Sequence, residues 1–526
     1  MSQQDLNRRA FLARSGAMAL AGMGAPWAMN LAGIAQAAQA QSNTGDGYKA
    51  LVCVFLQGGN DQANTIIPCD DVGFWRYQQL RQQLVVRGPH GDILDQTAVQ
   101  KMQLNPLNAL NFVNTEQLRS SPLQLALAPS LSPLLPLFND DKKLALLLNI
   151  GPLVKPLKKA DFFDALKGAQ DGSVLPPKLF SHNDQQSVWQ SYGAEGSTVG
   201  WGGVIGDTGL DGNDQSPLTC VNLAGNVVYV AGTQAGQFMV NPFGPDALLA
   251  ERPANMFKSS ACVDAFISVT RTQDPSVHRL AKEHSNIMRR AVASNKVLLD
   301  TLPKADALGV PLRFDANGVL TAAAAADATT EHLEGNSLAA QLNTAARMIA
   351  VHKDIGLKRQ IFFVSLGGFD LHDNLVVQHP KLLKKLADAL AQFDTDLTTL
   401  GMRDQVTTFT ASDFGRTVTS NGDGSDHGWG SHHFVMGGAV KGGRVYGNWP
   451  EVTGFVDEGA DNIGQGRLLP SMSVDHLAAA LAKWMGVTDA TTVTHNKAPV
   501  KAMSLIAPHL DNFPSPSPLA DLLPLT

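Results

Sequence analysis

The sequence predicts an α/β fold built on a mostly parallel sheet, and three observations predict it. Short, unbroken apolar runs recur at 50–56, 144–150, 360–366 and 406–411, three of them ending near glycines. Runs without polar alternation suit strands buried on both faces, as in parallel sheets. Between the last two runs lies an amphipathic stretch at 379–400, with Leu382, Leu383, Leu386, Leu390 and Phe393 on one side. Strand, helix and strand with short links predict parallel neighbours joined by a right-handed crossover. Finally, 526 residues with 44% apolar and 17% charged side chains can bury a large core, which excludes a disordered chain.

The remaining elements follow in order. The apolar run at 123–138 is interrupted by Pro129, Pro133 and Pro136, which exclude a membrane helix. Residues 227–230 and 237–240 read as short strands forming a hairpin. Residues 274–302 read as a helix with Lys282, Arg289 and Arg290 on its polar face, and 322–326 as a loop or short helix. Residues 337–353 read as a helix, and a last one at 474–484 is closed by Gly486. The irregular region at about 205–335 reads as an insertion in a single large domain spanning 41–526. Cys53 reads as a small buried hydrophobe, and Cys220–Cys262 is a candidate disulfide.

The first forty residues read as an address. Arg8-Arg9 precedes an Ala-, Gly- and Met-rich apolar stretch, then the small-x-small sequence Ala38-Gln39-Ala40. This is the pattern of a twin-arginine signal peptide and implies the twin-arginine translocase as partner during export. The expected location is periplasmic or secreted, with no membrane span after cleavage. The segment removed carries three arginines and one aspartate, so the net charge moves from −6 to −8. That acidic balance gives no support for nucleic-acid binding. No G-x-x-x-x-G-K-[ST] loop occurs, which argues against a nucleotide cofactor, and no G-x-S-x-G elbow marks a serine hydrolase.

The chemistry converges on strand ends. Asp61, Asp370 and Asp413 each follow an apolar strand and lie beside glycines. Ligand sites of open parallel sheets lie beyond the carboxyl ends of strands. His372 is two residues past Asp370, and His427 follows a Gly-rich loop after the Asp413 strand. Carboxylate and imidazole in one cleft suit a divalent ion such as Zn, Mn, Mg or Ca, although an aspartate after a strand is also a common helix cap. Ser181, at the start of a helix, is either an N-cap or a nucleophile. Arg416 either orients an anion or pairs with Asp413 or Asp423.

These segments resemble the domain-of-unknown-function 1501 family of exported bacterial proteins. The resemblance rests on LVCVFLQGGNDQANTIIP (51–68), FSHNDQQSVWQS (180–191), TVGWGGVIGD (198–207), LGGFDLHDN (366–374) and the FGRT…DHGWG stretch within 412–447. That family is remotely similar to the alkaline phosphatase and sulfatase superfamily. The resemblance implies a three-layer α/β/α fold with irregular insertions and a two-metal site. It implies Asp61, Asp370, His372, Asp413 and His427 as metal ligands and Ser181 in the nucleophile position. Two departures are visible: the usual Asp-His pair is here Asp413-Phe414, leaving His432 or His433 to compensate, and the Asp370–His372 spacing is shorter than the usual one. The implied activity is a metal-dependent hydrolase of phosphate or sulfate esters. The alternative is a non-catalytic binding or assembly protein that retains the fold.

Overall fold

The computed structural model describes residues 47–88, 91–112, 122–168, 174–245, 259–271, 279–326 and 330–524. The expected signal peptide lies outside them. A nine-stranded sheet organises the described chain. Its strands are β1 (Lys49–Leu56), β2 (Leu144–Gly151), β3 (Cys220–Asn222), β4 (Phe238–Met239) and β5 (Arg359–Leu366). The others are β6 (Val406–Ser412), β7 (Ser431–Met436), β8 (Arg444–Tyr446) and β9 (Met472–Ser473). Their order is β8-β2-β7-β6-β1-β5-β3-β4, with β9 also pairing β2. Every pairing is parallel except those of β7, which runs antiparallel to β6 and β2.

The sheet is apolar on both sides because alternate residues serve different cores. Val52, Val54 and Leu56 of β1 join one hydrophobic cluster, while Leu51, Cys53 and Phe55 join another. The same split divides Phe362, Val364 and Leu366 of β5 from Ile361 and Phe363. This double burial is why the strands read as continuous apolar runs.

Six helices matter for the site: α1 (Asp71–Arg81), α2 (His182–Ser191), α3 (Trp201–Asp207), α4 (Ser337–Ala350), α5 (Leu375–Thr399) and α6 (Val474–Met485). Leucines of α4 and α5 fill the first cluster, including Leu338, Leu383 and Leu390. Trp189, Trp201 and Leu477, from α2, α3 and α6, fill the second. Starts are fixed by side-chain acceptors: Asp70 accepts from Gly73 N, Asn336 from Ala339 N, and Ser473 from Asp475 N. The left-handed Gly486 ends α6.

Three expectations are corrected. β5 and β6 are parallel, but β1 lies between them, so the crossover through α5 skips a strand. No hairpin forms at 227–240: residues 227–230 are not a strand, and β4 instead pairs parallel with β3. All four cysteines are free, so the Cys220–Cys262 disulfide does not form. Of the expected helix at 274–302, Arg279–Thr301 is helical, and 272–278 lie outside the described residues.

Candidate metal centre

In register, Leu56 of β1 faces Leu366 of β5 and Ser412 of β6, so three adjacent parallel strands end level. Their following loops carry Asp61, Asp370 with His372, and Asp413. Because β7 is antiparallel to β6, its start lies at the same edge, and His427 sits just before it. Helix α2 brings its first residue, His182, to this place.

Close backbone approach joins the loops. Gly58 has φ +111°, and a Cβ there would lie 2.3 Å from the Asp370 nitrogen. Its N–H donates to Asp413 Oδ2 at 3.2 Å, and its carbonyl accepts from Arg416 Nη1 at 3.1 Å.

Asp370, His182 and His427 form the centre. One ligand-type atom of each lies within 4.8 Å of the others. His182 Nε2 is 3.3 Å from Asp370 Oδ2, and His427 Nε2 is 3.3 Å from Asp370 Oδ1. His372 Nε2 adds a contact of 3.1 Å to Asp370 Oδ1 and lies 2.9 Å from His427 Nε2.

The outward nitrogen of each ring is held by an acceptor. His182 Nδ1 donates to Asp413 Oδ2 at 2.7 Å, His427 Nδ1 to the Phe180 carbonyl at 2.7 Å, and His372 Nδ1 to Asp426 Oδ1 at 3.3 Å. Fixing the proton on Nδ1 leaves the Nε2 lone pairs turned inward, as outer partners do for metal-ligating histidines. His182 Nε2 is buried and makes no hydrogen bond. The centre grades from dry to wet: the Asp413 side chain is 0% exposed, and that of Asp370 is 43%.

Electrostatics follow this packing. The Asp413 hydrogen bond leads the influences that raise the His182 pKa above its usual value. Burial leads those that lower His427. For Asp370, burial pushes the carboxyl upward, but the Arg416 hydrogen bond and charge, with His182 and His372, outweigh it and hold it low.

The other sequence-predicted residues have different surroundings. Asp61 lies outside the three-residue group. Its Oδ2 is ion-paired with the fully buried Arg81 at the end of α1, while its Oδ1 has no partner. Arg416 is buried, and all three of its guanidinium nitrogens are engaged: Nη1 by Asp370 Oδ1 at 2.7 Å and Gly58 O, Nη2 by Ser425 O, and Nε by Ser425 Oγ. Ser181 precedes α2 without a side-chain cap and donates to Asp184 Oδ2 at 2.9 Å. His432 and His433 are buried in β7: His432 Nδ1 accepts from Asn149 N, and His433 Nδ1 lies 3.2 Å from Thr410 Oγ1.

Sequence reasoning missed His182 as a site residue. Its available signal was a histidine at the first turn of a helix, with Gln186 four residues on. Both side chains reach Asp413 Oδ2, Gln186 Nε2 at 2.9 Å.

Residues 267–500 match the family described as Protein of unknown function (DUF1501), as the motif resemblance predicted. Within that range lie Asp370, His372, Asp413 and His427; Asp61 and His182 precede it. None of the curated proteins matches the chain. Among solved structures, the chain is similar to the PsFucS1 sulfatase from Pseudoalteromonas sp., with 9% identity over 92% of this chain and 76% of that chain and a TM-score of 0.32.

Proposed function

We propose that the chain is an exported, metal-dependent hydrolase of phosphate or sulfate esters, carried on a three-layer α/β/α fold of the alkaline phosphatase type. One observation carries the reading: three imidazoles hold their Nδ1 protons outward and turn their Nε2 atoms onto one carboxylate. His372 and His427 then face each other through lone pairs at 2.9 Å, which repel unless a proton or cation lies between them. His182 Nε2, without a hydrogen bond and 3.3 Å from Asp370 Oδ2, likewise calls for a proton or cation there.

The donor set fits a divalent ion. His182, Asp370 and His427 would hold it, with His372 at the open side. Imidazole-rich sets favour Zn over Mn, Mg or Ca. Such an ion supplies Lewis acidity and an activated water or alkoxide when bound. The protein's own part is orientation. Asp413 steers His182, the Phe180 carbonyl steers His427, and Arg416 fixes Asp370. Ser181, adjoining both His182 and Phe180, is the candidate nucleophile, and its hydroxyl already donates to the Asp184 carboxylate.

A second reading, a binding or assembly protein without turnover, is favoured by Asp61, whose carboxylate is engaged by Arg81. The discriminating experiment has two arms. Purified protein should contain a divalent ion that chelator removes, measured by plasma mass spectrometry. A screen of aryl phosphate and aryl sulfate esters should show turnover that falls at least about 100-fold in folded Asp370→Ala and His427→Ala variants. Bound metal without turnover selects the binding protein. Turnover surviving both substitutions overturns the site.

A further inference from the structure

Resting on the ion site just proposed, we infer that this centre takes one divalent ion and that Arg81 and Arg416 stand as fixed cations where a two-metal centre would place its second. The observations lie beside the three-residue group. Asp61, in the loop after β1, is a metal ligand by resemblance but lies outside the three-residue group. Its Oδ2 is instead paired with Arg81, and the two side chains are 0% and 2% exposed for arginine and aspartate. Asp370, the carboxylate on which the three imidazoles converge, already accepts from Arg416 Nη1 at 2.7 Å. Asp413 spends Oδ2 on three donors: His182 Nδ1, Gln186 Nε2 and Gly58 N.

Charge balance points the same way. Asp61, Asp370, Asp413 and Asp426 supply four negative charges, and the two buried guanidiniums cancel two of them. One divalent ion then leaves the region neutral, whereas two ions would leave it two units positive beside guanidiniums with little access to water. Burial without solvent screening makes such repulsion expensive. Arginine also keeps its charge where lysine or histidine would shed it.

The backbone holds these arginines in place. Besides Asp370, Arg416 donates to the carbonyls of Gly58 and Ser425 and to Ser425 Oγ. Arg81 Nη1 donates to Thr417 O at 3.3 Å and Val418 O at 3.0 Å. The second of these segments follows Arg416 directly, so both guanidiniums brace the same loop. What a second ion could still use is a pair of buried oxygens, Asp61 Oδ1 and Asp413 Oδ1, neither of which has a hydrogen-bond partner. The test therefore targets Asp61.

Metal-stripped full-length protein is titrated with zinc, and bound zinc is measured after gel filtration. The expected stoichiometry is one per chain. In the Asp61→Asn/Arg81→Met double variant, which removes the buried pair together, stoichiometry stays at one and affinity stays within about threefold. Two ions in the parent protein overturn the inference and leave the proposed ion site standing. A double variant that folds but binds tenfold more weakly also overturns it, because Asp61 would then be a ligand. No zinc bound to the parent protein overturns the ion site and this inference with it. Should the double variant not fold, the stoichiometry of Asp61→Asn alone decides: one ion supports the inference, and a fall from two to one refutes it.

Discussion

At the scale of single residues, Gly58 does more than any charged group to assemble the centre. Its N–H reaches Asp413, its carbonyl reaches Arg416, and its Cα leaves room for Asp370. With φ at +111°, it occupies backbone space that side-chain-bearing residues rarely adopt. A methyl group there would meet the Asp370 nitrogen at 2.3 Å, backbone that shifts only at a cost. Gly58→Ala is therefore expected to cost about 1–3 kcal/mol of stability through strain. It should also weaken ion binding, because Asp370 must move. Urea unfolding measures the first and zinc titration the second; an unchanged urea midpoint would contradict the account. The residue scale also shows where sequence reading stops. The gathering of Asp370, Asp413 and His427 at one sheet edge was legible because the loops after adjacent parallel strands meet there. The pairing of Asp61 with Arg81, twenty residues later, was not legible, because nothing local distinguishes a helix-end arginine facing solvent from one turned inward.

At the scale of elements, β7 and α5 carry an acid sensitivity. Burial pushes the His432 and His433 rings down to about 3 and that of His379 down to about 4. His433 packs against Trp189 with ring centroids 5.2 Å apart, and His379 Nε2 lies 3.0 Å from Asn60 Oδ1. All three are neutral in the folded chain. Unfolded, each titrates near the ordinary histidine value of about 6.5. The unfolded state therefore takes up protons first as pH falls. Their contribution is complete above about pH 6.5 and is lost progressively toward pH 4 and below. Urea midpoints should be flat from pH 8 to 7 and decline from pH 6.5 to 4.5, with a shallower decline in His433→Gln. A midpoint constant to pH 4.5 would refute this. The apolar strands were legible because burial on both faces leaves a continuous apolar run, as in β1, β2, β5 and β6. The short β3–β4 pair misled because two or three residues carry no period, and its parallel partner is set by tertiary packing rather than by a turn.

At the scale of the whole molecule, the centre exists only in the folded chain. His182 meets Asp413 across 231 positions, Arg81 meets Thr417 across 336, and Gly58 meets Asp413 across 355. No short fragment of the sequence holds the whole centre, because His182 comes from α2 while Asp370 and His427 follow β5 and precede β7. A chain threaded unfolded through a membrane would have to find its ion afterwards, in competition with whatever metals the outer compartment offers. A chain exported folded can choose its ion beforehand, and this is the use we propose for the twin-arginine motif at Arg8-Arg9. Among the described residues no helix is long and apolar enough to cross a membrane. On this proposal the Arg8→Lys/Arg9→Lys variant is expected to accumulate inside the cell, folded and carrying the same ion as the parent protein. Cell fractionation with metal analysis of both pools checks this. A variant that still reaches the periplasm would show that export uses another route. A cytoplasmic pool that is folded but lacks metal would show that the ion is acquired after transport.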